Sequence, residues 1–388
     1  MKAKTITGTT PDQLRSALED SMRDGYRPTL AIIFVSIKQD REAVCAVFHE
    51  KGIDILGATS SGEFTDGHQS EGEAVVMLWD LPREHYTLVF EAIGDRSLEE
   101  AASHLADAAR RAFKKPALIL CSTILTADGR VLDGETLVRH IEKTLGPDVN
   151  MFGGMAGDDI TFTGTYVFTH GWSTDYGIAA LVLNEERIGL QGMAISGWKP
   201  VGIGRTVTKS EGYLIFTIDD QPALDIYMRY LGHDKASADD QVNFFNTVGV
   251  HYPFQILREG REPKMCGLMG YDKDKEALIC ESEVPEGSSF RFSTPPDFDF
   301  VETVLEKAGD LREQTGEAAE ALLIFSCAGR LSALGPLAQH ENEGLQQIWE
   351  APMAGFYSYG EFGRGLDGKH DFHSTTNAWV ALKEKTKP

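Results

Sequence analysis

Two glutamates stand in the same short motif at distant points of the chain. Residues 57–67 read GATSSGEFTDG and residues 355–365 read GFYSYGEFGRG, so that Ser-x-Gly-Glu-Phe occurs twice. Glu63 and Glu361 are therefore candidates for a pair of carboxylates that line one pocket, as ligand-binding groups or as a general base. The alternative is structural, because polar side chains in tight glycine-rich turns commonly accept hydrogen bonds from backbone amides nearby.

The established motifs of catalysis and nucleotide binding do not match these turns. Ser60 and Ser358 lack the glycine two residues earlier that a GxSxG nucleophile elbow requires. No Gly-Lys-Ser/Thr follows either turn, which excludes a phosphate-binding P-loop there. The pair Gly202 and Gly204 lacks the third glycine of the GxGxxG fingerprint. The sequence therefore predicts a protein that is not an enzyme, with a general base at one of the two glutamates as the alternative.

Two further candidates follow a predicted buried strand, in the sequence FSCAGR. Folds of the α/β class place ligand-binding groups at the carboxyl ends of strands. Arg330 is a candidate for bidentate binding of an anion, and a structural pair with Glu361 is the equal alternative. Cys327 has no recognisable partner base, and cysteine is more often a small buried hydrophobic residue than a nucleophile.

Two histidines, His370 and His373, stand three residues apart in the sequence HDFH. On a strand, residues three apart point to opposite faces, which disfavours a shared metal ion. His373 shares a strand face with Thr375, Asn377 and Trp379, and a histidine beside an aromatic ring in a half-buried pocket is a candidate axial haem ligand. A hydrogen-bonded structural histidine is the commoner case. The absence of CxxCH excludes covalently attached c-type haem.

The composition limits the classes of partner. The 388 residues carry a formal net charge of −22, which disfavours binding to nucleic acid or to an anionic membrane surface through general electrostatics. No apolar run approaches the roughly 18 residues of a membrane helix, and the start of the sequence has no signal-peptide pattern. The five cysteines form no CxxC pair, which argues against disulfides and structural zinc. We therefore expect a cytoplasmic protein.

Three copies of one pattern are visible along the chain: a strand, a helix, a glycine-rich turn and a second strand. The predicted strands are residues 30–36, 74–79, 117–121, 164–168, 321–325 and 376–382. The predicted helices are residues 41–51, 133–145 and 342–349, and the predicted turns are GATSSGEF, MFGGMAGDD and GFYSYGEF. The middle turn lacks the glutamate. Such self-similarity predicts an α+β fold built from duplicated α/β units with mixed sheets.

The segment between the second and third copies has a different character. Residues 178–218 form short apolar runs separated by glycine and proline, as in β-hairpins, and a helix is predicted at residues 223–230. The polar stretch 234–241 is predicted to be a loop or an exposed insertion. The predicted divisions of the chain are an N-terminal extension with a helix at 1–27 and two domains at 28–220 and 221–385.

The order of these motifs resembles that of the FIST family, in which a FIST N-terminal domain precedes a FIST C-terminal domain. In the first half the similar stretches are AIIFVS, GATSSGEF, MFGGMAGDD and VTKSEGYLIFTIDDQPALDIY. In the second half they are ESEVPEGSSFRF, ALLIFSCAGR and APMAGFYSYGEFGR. The resemblance extends over nearly the whole chain and implies a two-domain FIST architecture.

The resemblance also implies a function. FIST proteins are regarded as sensory modules of signal transduction that bind small ligands, with amino acids as one proposal. No kinase, cyclase or chemoreceptor segment accompanies the two domains, which implies a stand-alone sensor that regulates a separate partner, such as a histidine kinase or a cyclic-di-GMP enzyme. The expected ligand pocket is lined by Glu63, Arg330, Tyr359, Glu361 and His373.

One branch of the family, the NosP-type proteins, binds haem and senses nitric oxide, and often shows an LHNQT-like stretch. The matching stretch here reads FHSTT, which aligns His373 with the histidine of that motif. Ser374 and Thr375 replace the Asn-Gln pair, so that the similarity to this branch is partial. The resemblance implies no certain cofactor and leaves haem, with His373 as its axial ligand, as the alternative to another small ligand.

Overall fold

The described part of the chain folds into four β-sheets with helices packed against them. The computed structural model describes residues 1–233, 249–294, 297, 299–316 and 318–385. Within these residues there are three six-stranded sheets, each with one parallel strand pair, and one eight-stranded antiparallel sheet. The predicted α+β class with mixed sheets is therefore confirmed. The predicted loop at 234–241 lies outside the described residues.

Three copies of one supersecondary unit account for the six-stranded sheets. The first unit contains β1 (Lys2–Gly8), α1 (Pro11–Ser21), β2 (Leu30–Ser36), α2 (Arg41–His49), β3 (Asp54–Ser60), β4 (Glu63–Thr65), β5 (His68–Ser70) and β6 (Ala74–Asp80). The second contains β7 (Tyr86–Ala92), α3 (Leu98–Ala112), β8 (Pro116–Ser122), α4 (Gly134–Leu145), β9 (Met151–Met155), β10 (Val167–Thr169), β11 (Trp172–Thr174) and β12 (Gly177–Asn184). The third unit begins with β13 (Ile188–Ile195).

An inserted segment interrupts the third unit after β13 and forms the eight-stranded sheet. It contains β14 (Pro200–Glu211), β15 (Leu214–Ile218), β16 (Gln221–Pro222), α5 (Ala223–Leu231), β17 (Phe254–Ile256), β18 (Lys264–Cys266), β19 (Leu268–Asp272), β20 (Ala277–Cys280) and β21 (Ser289–Ser293). The third unit continues with α6 (Asp299–Thr315), β22 (Ala321–Cys327), α7 (Ala328–Leu334), α8 (Pro336–Trp349), β23 (Met353–Ser358), β24 (Glu361–Arg364), β25 (His370–His373) and β26 (Asn377–Glu384).

Every six-stranded sheet has the same strand order, and each is completed by a hairpin from another unit. The centre of a sheet is a parallel pair, β2–β3, β8–β9 or β22–β23, which lies beside the last strand of the same unit. On its other side the pair receives a hairpin: β10–β11 joins β3, β24–β25 joins β9, and β4–β5 joins β23. The three units thus exchange hairpins in a cycle, and Thr65 hydrogen-bonds the carbonyl of Met353, 288 positions away.

The apolar runs of the central strands are buried on both faces. In β2, Leu30, Ile32 and Phe34 point into a core shared by the three sheets, whereas Ala31 and Ile33 pack against α1 and α2. This alternation follows from the two-residue period of a strand. Because both faces are covered, the strand is a continuous apolar run, and this makes LAIIFVS recognisable as a strand from sequence.

A phenylalanine of each hairpin lies opposite a glycine of the acceptor strand, and in two of the three pairs the ring packs directly on that glycine. The three cross-strand pairs are Phe168 with Gly57, Phe64 with Gly355, and Phe362 with Gly153. A Cβ atom at Gly57 would lie 2.0 Å from the Phe168 ring, and one at Gly355 would lie 2.3 Å from the Phe64 ring. Only glycine leaves room for an aromatic ring at this distance from the backbone.

The predicted glycine-rich turns are mostly strand, and this part of the prediction was wrong. Strands β3, β9 and β23 run through GATS, MFGGM and MAGFYS, because the glycine there serves packing between strands rather than chain reversal. The turn itself is only two residues long in the first and third units, at 61–62 and 359–360. In the second unit it spans 156–166, and Val167 takes the register position of Glu63 and Glu361.

Local sequence signals set the helix starts. The side chains of Asp40, Ser97 and Asp133 accept hydrogen bonds from backbone amides in the first turns of α2, α3 and α4, which supplies partners for amides that have none within the helix. The helix predicted at 342–349 begins earlier, at Pro336, because proline has no amide hydrogen and fits a first helical position.

Replacing Gly57 by alanine is expected to destabilise the fold, because the added methyl group would overlap the Phe168 ring and push the hairpin off its sheet. We expect a loss of about 1–3 kcal/mol in the free energy of unfolding, the usual range for overpacking, measured as a lower urea midpoint. Gly204→Ala is the matched control, since a Cβ atom there meets nothing within 4 Å. Equal urea midpoints for the two variants would show that the packing of the Phe168 ring on Gly57 does not stabilise the fold.

Candidate functional site

The three corners, where each central strand turns toward its hairpin, meet and are joined by backbone hydrogen bonds. The amides of Ser61, Tyr359 and Gly157 donate to the carbonyls of Tyr357, Met155 and Thr59 at 3.0, 3.1 and 2.8 Å. The amides of Tyr357, Met155 and Thr59 donate in turn to the carbonyls of Gly62, Gly360 and Tyr166 at 2.9, 2.8 and 2.9 Å. The repeated motif therefore marks the corner at which two units are joined.

Glu63 is buried in the corner of the first unit. Its carboxyl group accepts hydrogen bonds from the Ser60 hydroxyl and, at 3.3 Å, from the amide of Glu73. Burial raises the pKa of Glu63 to about 8, against the lowering effect of both hydrogen bonds. The side chain therefore holds a proton at neutral pH and fastens the turn to the residue that precedes β6.

Glu361 has the same environment in the third unit. It accepts hydrogen bonds from the Ser358 hydroxyl at 2.7 Å, the Thr376 hydroxyl at 2.8 Å and the Thr376 amide at 3.3 Å. Burial again raises the pKa, to about 8 for Glu361. Glu63 and Glu361 share no hydrogen-bond partner, so that each carboxyl group lies in its own corner and supports the backbone there.

Arg330 is fully buried, and its charge is neutralised inside the fold. Its guanidinium group contacts both carboxylate oxygens of Glu341. It also donates hydrogen bonds to the backbone carbonyls of Ser196 and, at 3.2 Å, Thr375. The structural partner of this arginine is therefore Glu341 rather than Glu361.

His373 lies in β25 at a cavity of about 260 Å³. Its Nε2 is 3.2 Å from the carbonyl oxygen of Gly363, and this nitrogen carries the proton because a carbonyl only accepts hydrogen bonds. Burial lowers the pKa of His373, so that the ring is neutral. The cavity is also smaller than the roughly 300–1,000 Å³ of a typical ligand pocket. As placed, these residues do not fit a haem whose iron binds Nε2.

Tyr359 forms part of the wall of a different cleft, of about 300 Å³. Three parts of the molecule meet there: loops of the second unit, the carboxyl ends of β22 and β23 in the third unit, and β19 with its neighbours in the inserted sheet. The polar side chains of the wall are Glu281, Cys327, Ser332, Ser358, Tyr359 and Thr375. The remaining wall residues are apolar or glycine, which gives the cleft the character of a small-molecule pocket.

The longer turn of the second unit, residues 156–166, shapes one side of this cleft. Asp158 is buried and holds the turn in place by accepting hydrogen bonds from the three amides of residues 162–164, at 3.1, 2.6 and 3.1 Å. The Tyr359 hydroxyl donates to Asp158 and accepts the amide hydrogen of Ile160 at 3.0 Å. The wall of the cleft in the third unit is thereby tied to the turn of the second.

Backbone strain is concentrated in the same turn. Asp159, Ile160 and Phe162 have φ angles of 56°, 60° and 52°, in the left-handed region that is costly for a β-branched side chain such as isoleucine. The Phe162 ring stacks on the Tyr359 ring, with centroids 5.4 Å apart. Ile160 and Phe162 are also exposed to solvent at the cleft. Strained residues of this kind are often found at ligand sites and switch regions.

Of the five residues predicted to bind a ligand, only Tyr359 lines this cleft. Glu63, Arg330 and Glu361 are fully buried and have partners within the fold, and His373 lies at the other cavity. A ligand-binding role for these four residues stays a prediction.

Most of the other residues of the cleft were missed from sequence. Glu281 opens the stretch ESEVPEGSSFRF, and Phe162 follows MFGGMAGDD, so both were inside or beside stretches that carry the family resemblance. No residue-level signal separated them from their neighbours, because the cleft is assembled from three distant segments. Cys327 does line the cleft, and burial raises the pKa of its thiol, which disfavours the nucleophilic thiolate.

The described residues contain neither a cluster of metal-binding side chains nor a membrane-spanning helix. No group of three or more His, Cys, Asp and Glu side chains in this part of the chain is arranged to hold a metal ion. No helix that the structure describes is both long and apolar enough to cross a membrane. All five cysteines are free thiols.

Comparison with protein families identifies two regions of the chain. A FIST N domain model matches residues 29–221, and a FIST C domain model matches residues 223–364. The chain belongs to the FIST family. FIST domains are associated with the sensing of small ligands in signal transduction. No curated protein matches the sequence of this FIST protein.

The two FIST regions divide the third unit of the fold. Strand β13 lies in the matched FIST N region, whereas α6, β22 and β23 lie in the matched FIST C region. In the same sheet, β4 of the FIST N region pairs with β23 of the FIST C region. The domain boundaries drawn from sequence, 28–220 and 221–385, stay a prediction.

The buried glutamates of this FIST protein are expected to make its stability fall as the pH rises from 6.5 to 8. The folded-state pKa of both groups is about 8, above the ordinary 4.5, so the folded state holds protons that the unfolded state has lost. The loss is at most about 1.4 kcal/mol per pH unit for each carboxyl group. Urea unfolding across this pH range measures it.

Buried histidines do not interfere in the pH range from 6.5 to 8, because they lower the stability of the folded state only when the pH falls below 6.5. Burial lowers the pKa of His370 from 6.5 to about 3, and stability from such a group is lost as the pH falls below 6.5. The double variant Glu63→Gln with Glu361→Gln is expected to flatten the slope, whereas Glu71→Gln, at an exposed position, leaves it unchanged. A wild-type stability that does not fall over this range would show that the two carboxyl groups are ionised.

Proposed function

We propose that this FIST protein is a stand-alone sensor that binds a small ligand in the cleft beside Tyr359 and regulates a separate partner, such as a histidine kinase or a cyclic-di-GMP enzyme. The observation that carries the proposal is the position of the cleft, at which the second unit, the third unit and the inserted sheet meet. A ligand at such a junction contacts all three parts at once, so its binding energy depends on their arrangement.

The chemistry of the cleft supports a small organic ligand. Its volume of about 300 Å³ is at the lower end of the range for such pockets. Four large apolar side chains at the cleft are exposed to solvent: Val131, Ile160, Phe162 and Met269. Clustered apolar groups that remain exposed around a concave site are a common mark of a binding surface.

The strained turn of the second unit offers a way for a ligand to change the structure. Ile160 and Phe162 contact the cleft from a backbone held in the left-handed region by Asp158 and Tyr359. A ligand that displaces the Phe162 ring from Tyr359 would release this geometry. The turn would then have two arrangements that differ in ligand affinity, which is the requirement for a population shift.

Arg330 supports a route from the cleft to the inserted sheet. Its guanidinium group hydrogen-bonds the carbonyl of Thr375, a residue of the cleft wall, and the carbonyl of Ser196, which follows β13 and precedes the inserted segment. A displacement of Thr375 in the cleft wall would therefore move Arg330 and, through it, the backbone at Ser196, where the inserted segment begins. This role requires a buried, paired arginine and no contact with the ligand.

The other sequence-based expectations stay predictions. A cytoplasmic location and the identity of the partner rest on the family resemblance and on composition. An enzyme with Glu63 or Glu361 as general base gains no support, because both carboxyl groups are buried and already accept hydrogen bonds from residues of their own corners. Haem binding through His373 also gains no support, because its Nε2 atom already donates a hydrogen bond to the carbonyl of Gly363.

Ligand binding in this cleft is expected to raise the melting temperature of the protein, because a ligand that binds only the folded state stabilises it. At about 100 times the Kd, the stabilisation is about 2.7 kcal/mol. A thermal-shift panel of amino acids, amines, organic acids and haem measures it. The exposed Ser332 lines the cleft, and Ser332→Trp is expected to abolish the shift by filling the space.

The matched control is Gln339→Trp, at an exposed position of α8. This variant is expected to keep the response of the wild type. A shift that survives Ser332→Trp would place the binding site elsewhere, and the lack of any shift across the panel would count against the sensor proposal.

The haem alternative makes a separate prediction. If His373 is the axial ligand, the protein reconstituted with haem shows a Soret band that is lost in His373→Ala. The reason is that removal of the imidazole leaves the iron without its protein ligand. Absorption spectroscopy of the two proteins measures this, and an identical spectrum in the variant excludes His373 as the ligand.

A further inference from the structure

We propose that the cleft beside Tyr359 selects a monocationic amine with an apolar body, and that the Glu281 carboxylate binds its ammonium group. This inference rests on the proposed sensor function and specifies the ligand class of the same site. It differs from the amino-acid ligand that the family resemblance suggests, because it leaves no place for the carboxylate of an amino acid.

Among the described residues that line the cleft, Glu281 is the one charged side chain. One of its oxygens, Oε1, accepts the amide hydrogen of Gly267 at 2.5 Å, which fixes the carboxylate at the wall. A Cβ atom at Gly267 would lie 2.8 Å from the other oxygen, Oε2. The glycine therefore makes room for the carboxyl group on the side of the cleft. Burial raises the pKa of Glu281, and an ammonium group bound beside it opposes this rise because a neighbouring positive charge stabilises the ionised carboxylate.

Within the part of the chain that the structure describes, no lysine, arginine or histidine lines this cleft. The guanidinium group of Arg330, on the same helix as wall residues Ala328 and Gly329, is already occupied by Glu341 and two carbonyls. A ligand carboxylate would lose its hydration without gaining a cationic partner, and this desolvation is costly. The cleft therefore disfavours fatty acids, organic acids and the carboxylate end of an amino acid.

The aromatic pair at the cleft also favours a positively charged ligand. Phe162 and Tyr359 stack with their ring planes 13° apart, and both belong to the wall. The face of an aromatic ring attracts a cation within about 6 Å of its centroid. The formal net charge of −22 also draws cations rather than anions toward the protein. The remaining apolar wall accommodates a hydrocarbon body.

Four probes of similar size and different charge test the proposal by calorimetric titration of the full chain at neutral pH: phenethylamine, 2-phenylethanol, 3-phenylpropionate and L-phenylalanine. We expect phenethylamine to bind at least about tenfold more tightly than the other three, which corresponds to about 1.4 kcal/mol. In Glu281→Gln the amine is expected to bind no better than the alcohol. The amide oxygen of glutamine still accepts the Gly267 amide, which preserves the wall.

The matched control is Glu283→Gln, two residues away and exposed, which is expected to retain the preference for the amine. Tighter binding of 3-phenylpropionate or L-phenylalanine than of phenethylamine would overturn the ligand class and leave the sensor proposal standing. A preference that persists in Glu281→Gln would overturn the role of this carboxylate. Binding of none of the four probes would also overturn the class, and the sensor proposal would then depend on the thermal-shift panel alone.

Discussion

The exchange of hairpins between the three units is the constraint on which the rest of this structure depends. A parallel pair such as β22–β23 has an open edge until the hairpin β4–β5 of another unit covers it. Exposed strand edges invite unwanted pairing, so no unit forms a complete sheet alone. A short-range contact holds the hairpin in place: an aromatic ring lies over a glycine of the acceptor strand. A Cβ atom at Gly57 or Gly355 would fall within 2.3 Å of that ring.

This constraint explains why two glutamates recur in one motif. Where the hairpin leaves its own unit, the chain turns within two residues. Glu63 holds the turn by accepting hydrogen bonds from one hydroxyl group and one backbone amide, and Glu361 from two hydroxyl groups and one backbone amide. Their raised pKa follows from burial, since a protonated carboxyl is the cheaper form away from water. In the second unit a longer turn connects the strand to its hairpin, and buried Asp158 holds that turn by accepting backbone hydrogen bonds.

The departure from symmetry creates the candidate site. If all three corners were two residues long, no turn would extend over the carboxyl ends of β22 and β23. The extra residues of the second corner bring Ile160 and Phe162 beside Tyr359, and the inserted sheet adds Glu281 from the opposite side. The candidate site therefore lies where the threefold repetition is broken, and its wall includes the corner residues Ser358 and Tyr359.

The sequence by itself determined the family, the fold class and the threefold repetition, because buried strands need continuous apolar runs and repeated corners need repeated residues. It also raised the structural alternative for Glu63 and Glu361, since a motif of serine, glycine and glutamate carries its own local hydrogen bonds. Only the tertiary structure decided which unit each hairpin completes, that Arg330 pairs with Glu341, and that Glu281 and Phe162 meet at a cleft. The hairpin pairings and the cleft join segments more than 100 positions apart, and the Arg330–Glu341 pair joins two consecutive helices. No local pattern of residue types encodes these contacts.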